Sequence, residues 1–160
     1  MFPSSFKKLF PIVIVLLLLL SGILSIPQQQ DSSTARVIRI IDGDTIQINH
    51  QGKVATVRLL GIDTPETVDP RKPLECFGKD ASSKTRELLE GKIITLETDS
   101  TQNVHDKFGR LLAYIFLDDR TNINKKLIED GYAYEYTYDQ PYRYQAEFKK
   151  AQKQARQQQK

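Results

Sequence analysis

Past the first 35 residues, hydrophobic positions alternate with polar ones or form short β-branched runs, and turn-forming residues separate the runs. Strands are predicted at 36–41, 45–49 and 54–62, because Val and Ile suit a pleated surface and alternation places one face on a core. The intervening segments, 42–44 and 50–53, contain glycine beside polar residues, as tight turns do. Three strands joined by short turns indicate an antiparallel meander.

Beyond residue 77 the hydrophobic pattern switches between the helical and the strand period. Turn and cap residues, namely Gly91, Asn122 and Gly131, mark the ends of elements. The pattern predicts a helix at 78–89, strands at 93–98 and 110–117, a helix at 123–130, and a last amphipathic helix around Phe148. Five short strands with a helix after the third predict an α+β fold, a five-stranded antiparallel Greek-key barrel of the OB type with about three helices.

The N-terminus has a different composition from the rest of the chain. Lys7 and Lys8 precede an apolar run at 12–20, and small residues follow it, which is the pattern of a secretory signal. The run is shorter than the roughly 20 residues that span a bilayer. Residues 1–26 are therefore interpreted as a cleaved signal or an uncleaved anchor that would attach the chain to a membrane through 9–26. Both alternatives predict an exported or membrane-anchored protein.

A polar linker at 27–35, a domain at 36–150 and a basic, glutamine-rich tail at 151–160, helical or disordered, complete the predicted organisation. From residue 28 onward there are 21 basic and 20 acidic side chains, and the last twelve residues hold five basic side chains and no acidic one. The body of the chain is therefore acidic. This charge excludes a globally basic nucleic-acid binder, so any phosphate affinity in the body must be local or depend on a cation.

Three carboxylates lie at or just beyond predicted strand ends, at Asp44, Asp63 and Glu66. Hard divalent cations such as calcium prefer carboxylate and carbonyl oxygens. His50 and His105 are far apart in predicted loops, and Cys76 is the single cysteine, so the chain lacks the ligand clusters of a zinc site. The acids are consistent with a metal site, although each one also has an ordinary role as a turn or loop residue.

Arg58 and Arg110 lie in or beside predicted strands. The arginine side chain binds phosphate oxygens through two parallel hydrogen bonds and stays charged. Two acids that bind a cation, one acid that activates a water and two arginines that bind a phosphate would together suffice for phosphodiester hydrolysis. On an undisturbed strand, however, Arg58 and Asp63 would point to opposite faces. We therefore predict a bulge or sharp bend near Gly61 that lets the two side chains converge.

Three blocks of this sequence resemble the signature blocks of the staphylococcal nuclease (thermonuclease) family: Asp42 to Thr45, Arg58 to Glu66, and Asp106 to Tyr114. They occur in the family's order and at similar spacing, and the resemblance runs from about Val37 to about Ala155. It implies an OB-fold barrel with three helices. It also implies a calcium-dependent endonuclease of the micrococcal type, which cleaves DNA or RNA between phosphorus and the 5′ oxygen to leave 3′-phosphates.

The resemblance also assigns roles to individual residues. It gives calcium ligation to Asp44, Asp63 and the Thr64 backbone carbonyl, proton acceptance from the attacking water to Glu66, and phosphate binding to Arg58 and Arg110. It assigns base stacking to Tyr136 and Tyr138, with Tyr134 as an alternative. Lys72 is a candidate phosphate contact. Phe108 departs from the family pattern, which has a tyrosine there, so a hydroxyl contact at that position is lost.

Two other classes of function remain open from the sequence. Nuclease-like OB domains also occur as non-catalytic binding modules for nucleic acid or protein, and such a module would bind without cleaving. A membrane-tethered adaptor would retain its N-terminal segment and lack phosphodiesterase activity. Nothing in the sequence requires a protein partner or more than a monomer.

Overall fold

The computed structural model of the chain describes residues 32–65, 77–118 and 120–160. Its strands are β1 (Ser32–Asp42), β2 (Thr45–His50), β3 (Lys53–Leu59), β4 (Ile62–Asp63), β5 (Ile93–Glu97), β6 (Leu111–Phe116) and β7 (Tyr134–Glu135). Its helices are α1 (Gly78–Leu89), α2 (Ile123–Glu129) and α3 (Gln145–Gln157). The predicted N-terminal signal or anchor, Glu66, Lys72 and Cys76 lie outside the described residues.

Five strands close into a barrel in the order β1-β2-β3-β6-β5, and this confirms the predicted OB-type α+β fold. The β1–β2, β2–β3, β1–β5 and β5–β6 pairs are antiparallel. The β3–β6 pair is parallel, with Val57 opposite Leu111 and Leu59 opposite Ala113. The prediction of an entirely antiparallel barrel is therefore wrong at this closing pair. The reason is that β3 and β6 are joined by a long connection, and only a tight hairpin forces neighbouring strands to run in opposite directions.

The first strand begins at Ser32, inside the segment predicted as a polar linker. This part of β1 pairs antiparallel with β5, from Ser32 opposite Glu97 to Arg36 opposite Ile93. Strand β5 is thus a second partner of β1, beside β2. The side chains of this part of β1 are mostly polar, and the hydrophobic pattern therefore gave no sign of it. Backbone hydrogen bonding to β5, together with the burial of Ala35, extends the strand.

The core fills the barrel and continues under the helices. Alternate residues of β2 and β3, such as Ile46, Ile48 and Val57, are buried, as the alternating pattern predicts. From the helices, Leu127 and Phe148 are fully buried against the barrel. In the described part of the chain, no helix has the length and apolar character needed to cross a membrane.

Helix α2 has the predicted caps, and α3 follows it in the C-terminal part of the chain. The side chain of Asn122 accepts a hydrogen bond from the Lys125 backbone N–H at 3.1 Å, and Gly131 adopts the left-handed conformation. Helix α3 runs without a break through residue 150, the predicted boundary between the domain and the basic tail. Ala151 and Ala155, just beyond that boundary, are buried.

Candidate active site

The strand that begins at Lys53 stops at Leu59 and resumes as β4 after a turn at Leu60 and Gly61. Gly61 has a φ of +75°, which a residue with a side chain adopts only at a cost. A Cβ at this position would lie 2.6 Å from Cε2 of Tyr142. The Tyr142 hydroxyl donates to the Gly61 carbonyl at 3.1 Å. The predicted bend is confirmed, and it moves β4 out of the barrel to pair with β7.

The bend brings Arg58 to the two aspartates. Nη2 of Arg58 lies 2.8 Å from Oδ1 of Asp63 and 3.0 Å from Oδ2 of Asp44. Nη1 donates to the carbonyls of Leu59 and Ile62, at 3.1 and 2.8 Å, and these lie on either side of the turn. One guanidinium therefore fixes the shape of the bend and holds two carboxylates within hydrogen-bond distance of a single nitrogen.

Asp44 is buried in the turn between β1 and β2, and its carboxylate is held on both oxygens. Oδ2 accepts from the backbone N–H and the hydroxyl of Thr64, at 3.0 and 3.2 Å, and Oδ1 accepts from the Thr45 hydroxyl at 2.9 Å. A Cβ on Gly43 would approach Thr64 Oγ1 to 2.7 Å, so the glycine permits this close packing. Burial raises the pKa of Asp44, although the adjacent Arg58 guanidinium opposes the shift.

Asp63 occupies the open side of the same cluster. Its side chain is 53% exposed, whereas the side chain of Asp44 is 8% exposed. The sequence-predicted residues Asp44, Arg58, Asp63 and Thr64 are thus brought together at one end of the barrel, with one carboxylate covered and the other accessible. Asp44 and Asp63 do not form a group of three or more potential His, Cys, Asp or Glu ligands with any other residue of the described ranges.

Arg110 lies one strand away from this cluster. It precedes β6, in which Leu112 pairs with Arg58. Arg110 therefore lies at the start of the strand that neighbours Arg58 in the barrel. The guanidinium does not contact Asp44 or Asp63; its Nε donates to Oδ2 of Asp106 at 2.6 Å.

Asp106 is a residue that sequence reasoning placed in a motif without giving it a role. Its Oδ1 accepts from the backbone N–H of Arg110 and of Phe108, both at 2.9 Å, so the carboxylate orders the whole loop before β6. These bonds outweigh the effect of partial burial and lower the pKa of Asp106 below its usual range. The Phe108 ring, which is exposed, lies 5.4 Å from Cζ of Arg110. The signal for this contact in the sequence was the spacing of four residues between Asp106 and Arg110.

The candidate tyrosines lie on and after β7. Tyr136 and Tyr138 are exposed, and their ring centroids are 6.4 Å apart with a tilt of 48°. The Tyr136 backbone N–H donates to the Gly61 carbonyl at 3.0 Å, so this segment is attached to the bend itself. Tyr134 is exposed as well, and its backbone pairs with Asp63.

Comparison with known proteins finds a matching family model and several similar sequences. Residues 56–160 match the family model described as staphylococcal nuclease homologue. The chain is 42% identical over 125 residues to a thermonuclease of Staphylococcus hyicus, covering 78% of this chain and 72% of the relative. It is 42% identical over 123 residues to a thermonuclease of Staphylococcus intermedius, covering 77% and 71%.

A third relative is the SPbeta prophage-derived endonuclease YokF of Bacillus subtilis strain 168, which is 40% identical over 119 residues. That match covers 74% of this chain and 40% of YokF. The barrel and the sequence matches define an OB-fold protein of the nuclease-homologue class. The chain belongs to the staphylococcal nuclease family, which confirms the resemblance found in its sequence blocks.

Proposed function

We propose that the protein is a calcium-dependent nuclease. It hydrolyses DNA, RNA or both between phosphorus and the 5′ oxygen, and leaves 3′-phosphorylated products. The observation that supports this most is the convergence of Asp44, Asp63 and Arg58 at the bend after β3 in a member of this family. The thermonuclease and endonuclease relatives support nuclease activity in general.

The residues at the bend fit a hard divalent cation. Asp44 and Asp63 share a cationic partner, Nη2 of Arg58, so the position between them already accommodates a positive group. Their oxygens are of the kind that calcium prefers, and the Thr64 backbone carbonyl would add a third ligand. Calcium, when bound, supplies positive charge that offsets the acidity of the body and polarises a phosphate oxygen.

The two arginines bind the scissile phosphate and stabilise the charge that grows on it. Since Nη2 of Arg58 donates to Asp63 and forms an ion pair with Asp44, it must leave at least one of them in order to reach a phosphate oxygen. Arg110 is oriented differently, because Asp106 accepts from its Nε and so fixes the plane of the guanidinium. That contact leaves the two Nη nitrogens as the donors for phosphate, in a side chain that is 31% exposed. Such preorganised donors are among the largest contributions to catalysis.

Glu66, three residues after Asp63, accepts the proton of the attacking water. Tyr136 and Tyr138 stack on nucleotide bases, which their exposed rings and regular spacing support. Lys72 contacts phosphate. The roles of Glu66 and Lys72 rest on the sequence and the family resemblance, because these residues lie outside the described ranges.

The protein acts outside the cytoplasm, either exported or anchored through residues 9–26, as a monomer. Support for this location comes from Lys7, Lys8 and the apolar run that follows them.

Incubation of the full chain with single-stranded DNA and with RNA, with calcium or with EGTA, tests the proposal. Analysis of the ends should find 3′-phosphates and 5′-hydroxyls in the calcium samples and intact substrate in EGTA. Binding without cleavage in calcium would contradict the nuclease and favour a non-catalytic binding module.

A further inference from the structure

Tyr142 is a buried tyrosine in the segment between β7 and α3, and its hydroxyl reaches both the bend and β7. The hydroxyl oxygen lies 3.1 Å from the carbonyl oxygen of Gly61, the residue immediately before β4, and 3.0 Å from Oε1 of Glu135 in β7. A hydroxyl carries one proton, so it donates to one of these two oxygens at a time. Burial raises the pKa of Tyr142, and the Glu135 carboxylate adds to the shift, so the proton stays in place at neutral pH.

The β4–β7 sheet consists of two residue pairs, Ile62 with Glu135 and Asp63 with Tyr134. A two-stranded sheet is marginally stable at best on its own, so contacts with the rest of the fold must set its position. Asp63, the accessible carboxylate of the candidate active site, belongs to the second pair. Whatever attaches this sheet to the barrel therefore also determines where the Asp63 carboxylate lies.

The ring of Tyr142 provides such an attachment, because it packs against the core. Its centroid lies 5.6 Å from that of Phe148 in α3, which is fully buried, and 6.4 Å from that of Tyr114 in β6. The same ring lies against Gly61, where an added Cβ would come within 2.6 Å of it. Tyr142 thus connects the core of the barrel to the bend and to β7.

Each backbone carbonyl from 59 to 62 has a side-chain donor within hydrogen-bond distance. Nη1 of Arg58 donates to the first and the last, Nδ2 of Asn124 donates to the second at 2.8 Å, and the Tyr142 hydroxyl lies 3.1 Å from the third. Asn124 also accepts from the backbone N–H of Ile115, so its replacement would disturb the barrel as well. The Tyr142 contact, in comparison, is removed by deleting a single oxygen atom.

We propose that Tyr142 is a positioning residue of the candidate active site, which holds the Gly61 carbonyl and β7 and thereby fixes the Asp63 carboxylate in the place where it binds a cation. This inference rests on the proposed function for the identity of the cation. Tyr142 acts through the backbone of the bend and the β4–β7 sheet. A tyrosine with a merely structural role would support the stability of the fold and leave the affinity for calcium unchanged.

The test is an NMR titration of the full chain with calcium, without nucleic acid, for the wild type and two variants. Tyr142→Phe removes the hydroxyl and keeps the ring. Tyr144→Phe is the matched control, because the Tyr144 hydroxyl donates to Oε1 of Glu97 at 2.9 Å and its ring stacks on Phe148 in the same aromatic cluster. Tyr142→Phe should bind calcium about tenfold more weakly than the wild type, the lower end of the effect of losing an outer-shell partner of a metal ligand. Tyr144→Phe should bind it as the wild type does.

Amide hydrogen exchange without calcium tests the geometric part of the inference by itself. The Tyr136 backbone N–H donates to the Gly61 carbonyl at 3.0 Å, so its exchange reports on the bend. Tyr142→Phe should speed this exchange by up to about tenfold, the size of one lost hydrogen bond. The Ile115 N–H, which donates to Asn124 in the barrel, should be affected less. Tyr144→Phe should show no such difference between the two amides.

Three results would overturn the inference: a wild-type calcium affinity for Tyr142→Phe, an equal loss of affinity in both variants, or equal changes in exchange at Tyr136 and Ile115. The last two would assign the effect to general stability. The proposed function is tested separately, by cleavage. If the wild type binds calcium and cleaves no nucleic acid, the nuclease proposal fails, and the calcium affinities and the Tyr136 exchange still decide the role of Tyr142. A wild type that binds no calcium would overturn both.

Discussion

Asp44 and Arg58 form an ion pair in which Oδ2 and Nη2 are 3.0 Å apart and both side chains are largely shielded from water. Burial raises the pKa of Asp44, and the guanidinium offsets only part of that effect. A carboxylate in such a place must be paired with a cation, whether that cation is an arginine or a metal ion. The pair therefore links the stability of the bend to the chemistry proposed for it.

Replacing Arg58 should lower stability as well as activity. Arg58→Ala leaves the Asp44 carboxylate buried and unpaired, and the free energy of unfolding should fall by about 3–5 kcal/mol at neutral pH. Calcium should restore part of this loss, because it would take the place of the guanidinium between the acids. Urea unfolding with and without calcium measures both effects. Arg36→Ala is the control, since exposed Arg36 donates one hydrogen bond to the Gly91 carbonyl and its removal should cost about 1 kcal/mol. Equal losses for the two variants would contradict the role given to Arg58.

The bend at Gly61 should tolerate no side chain. Gly61→Ala adds a left-handed backbone cost and a Cβ 2.6 Å from the Tyr142 ring, which together should destabilise the fold by about 3 kcal/mol or more. Gly91→Ala isolates the backbone cost, because Gly91 has a φ of +74° and nothing lies within 4 Å of its added Cβ. That variant should lose only about 1–2 kcal/mol. Urea unfolding of the two proteins gives the comparison. A Gly61→Ala protein as stable as the wild type would show that the packing at the bend is not as described.

Arg110→Lys should impair catalysis without unfolding the protein. A lysine keeps the charge but cannot both satisfy Asp106 and present a planar pair of donors to a phosphate. We expect kcat to fall by roughly 100-fold or more, the effect of losing one oxyanion-type contact. Lys107→Ala is the matched control, because Lys107 lies 5.2 Å from the same Phe108 ring and has no proposed role. Steady-state cleavage of single-stranded DNA measures both, and similar rates for wild type and Arg110→Lys would remove Arg110 from the mechanism.

Asp99 should make the fold sensitive to acid. Burial alone would raise the pKa of Asp99, but bonds from the Arg143 backbone N–H, the Tyr114 hydroxyl and Thr101 outweigh it and lower the pKa. A lowered pKa means that this carboxylate stabilises the fold above the ordinary aspartate value of about 3.9, and that the contribution is lost as the pH falls through the folded-state pKa. Asp99→Asn should therefore be less stable than the wild type at pH 7, with a gap that narrows below about pH 4. Urea unfolding at several pH values, monitored by circular dichroism, measures the difference in stability between the two proteins. A gap that is constant with pH would contradict this account.

Local sequence patterns predicted most of the elements because local physics determines them. Alternation identified β2 and β3, and the residues at the helix ends, such as Asn122 and Gly131, identified α2. The bend at Gly61 followed from a geometric conflict, since Arg58 and Asp63 could not otherwise share a site. These predictions needed only the preferences of neighbouring residues and the period of a strand.

Features that depend on distant parts of the chain were not predictable in the same way. The parallel β3–β6 pair and the pairing of Tyr134 with Asp63 join segments more than 50 residues apart, and nothing local specifies their register. The first residues of β1 are polar, so only their backbone bonds to β5 reveal the strand. Asp106 stood inside a recognised motif, yet its bond to Arg110 became visible only in the folded loop.

The most direct test of the proposed metal-dependent cleavage is the rate of single-stranded DNA hydrolysis as a function of free calcium, for the wild type and Asp63→Asn. Asp63 is the accessible carboxylate of the pair, so removing its charge should weaken calcium binding without exposing the buried Asp44. The wild-type rate should vanish in EGTA and saturate with calcium, and Asp63→Asn should need at least about tenfold more calcium for half of its maximal rate. A rate that persists in EGTA, or one half-saturation point shared by both proteins, would contradict a calcium site at Asp44 and Asp63.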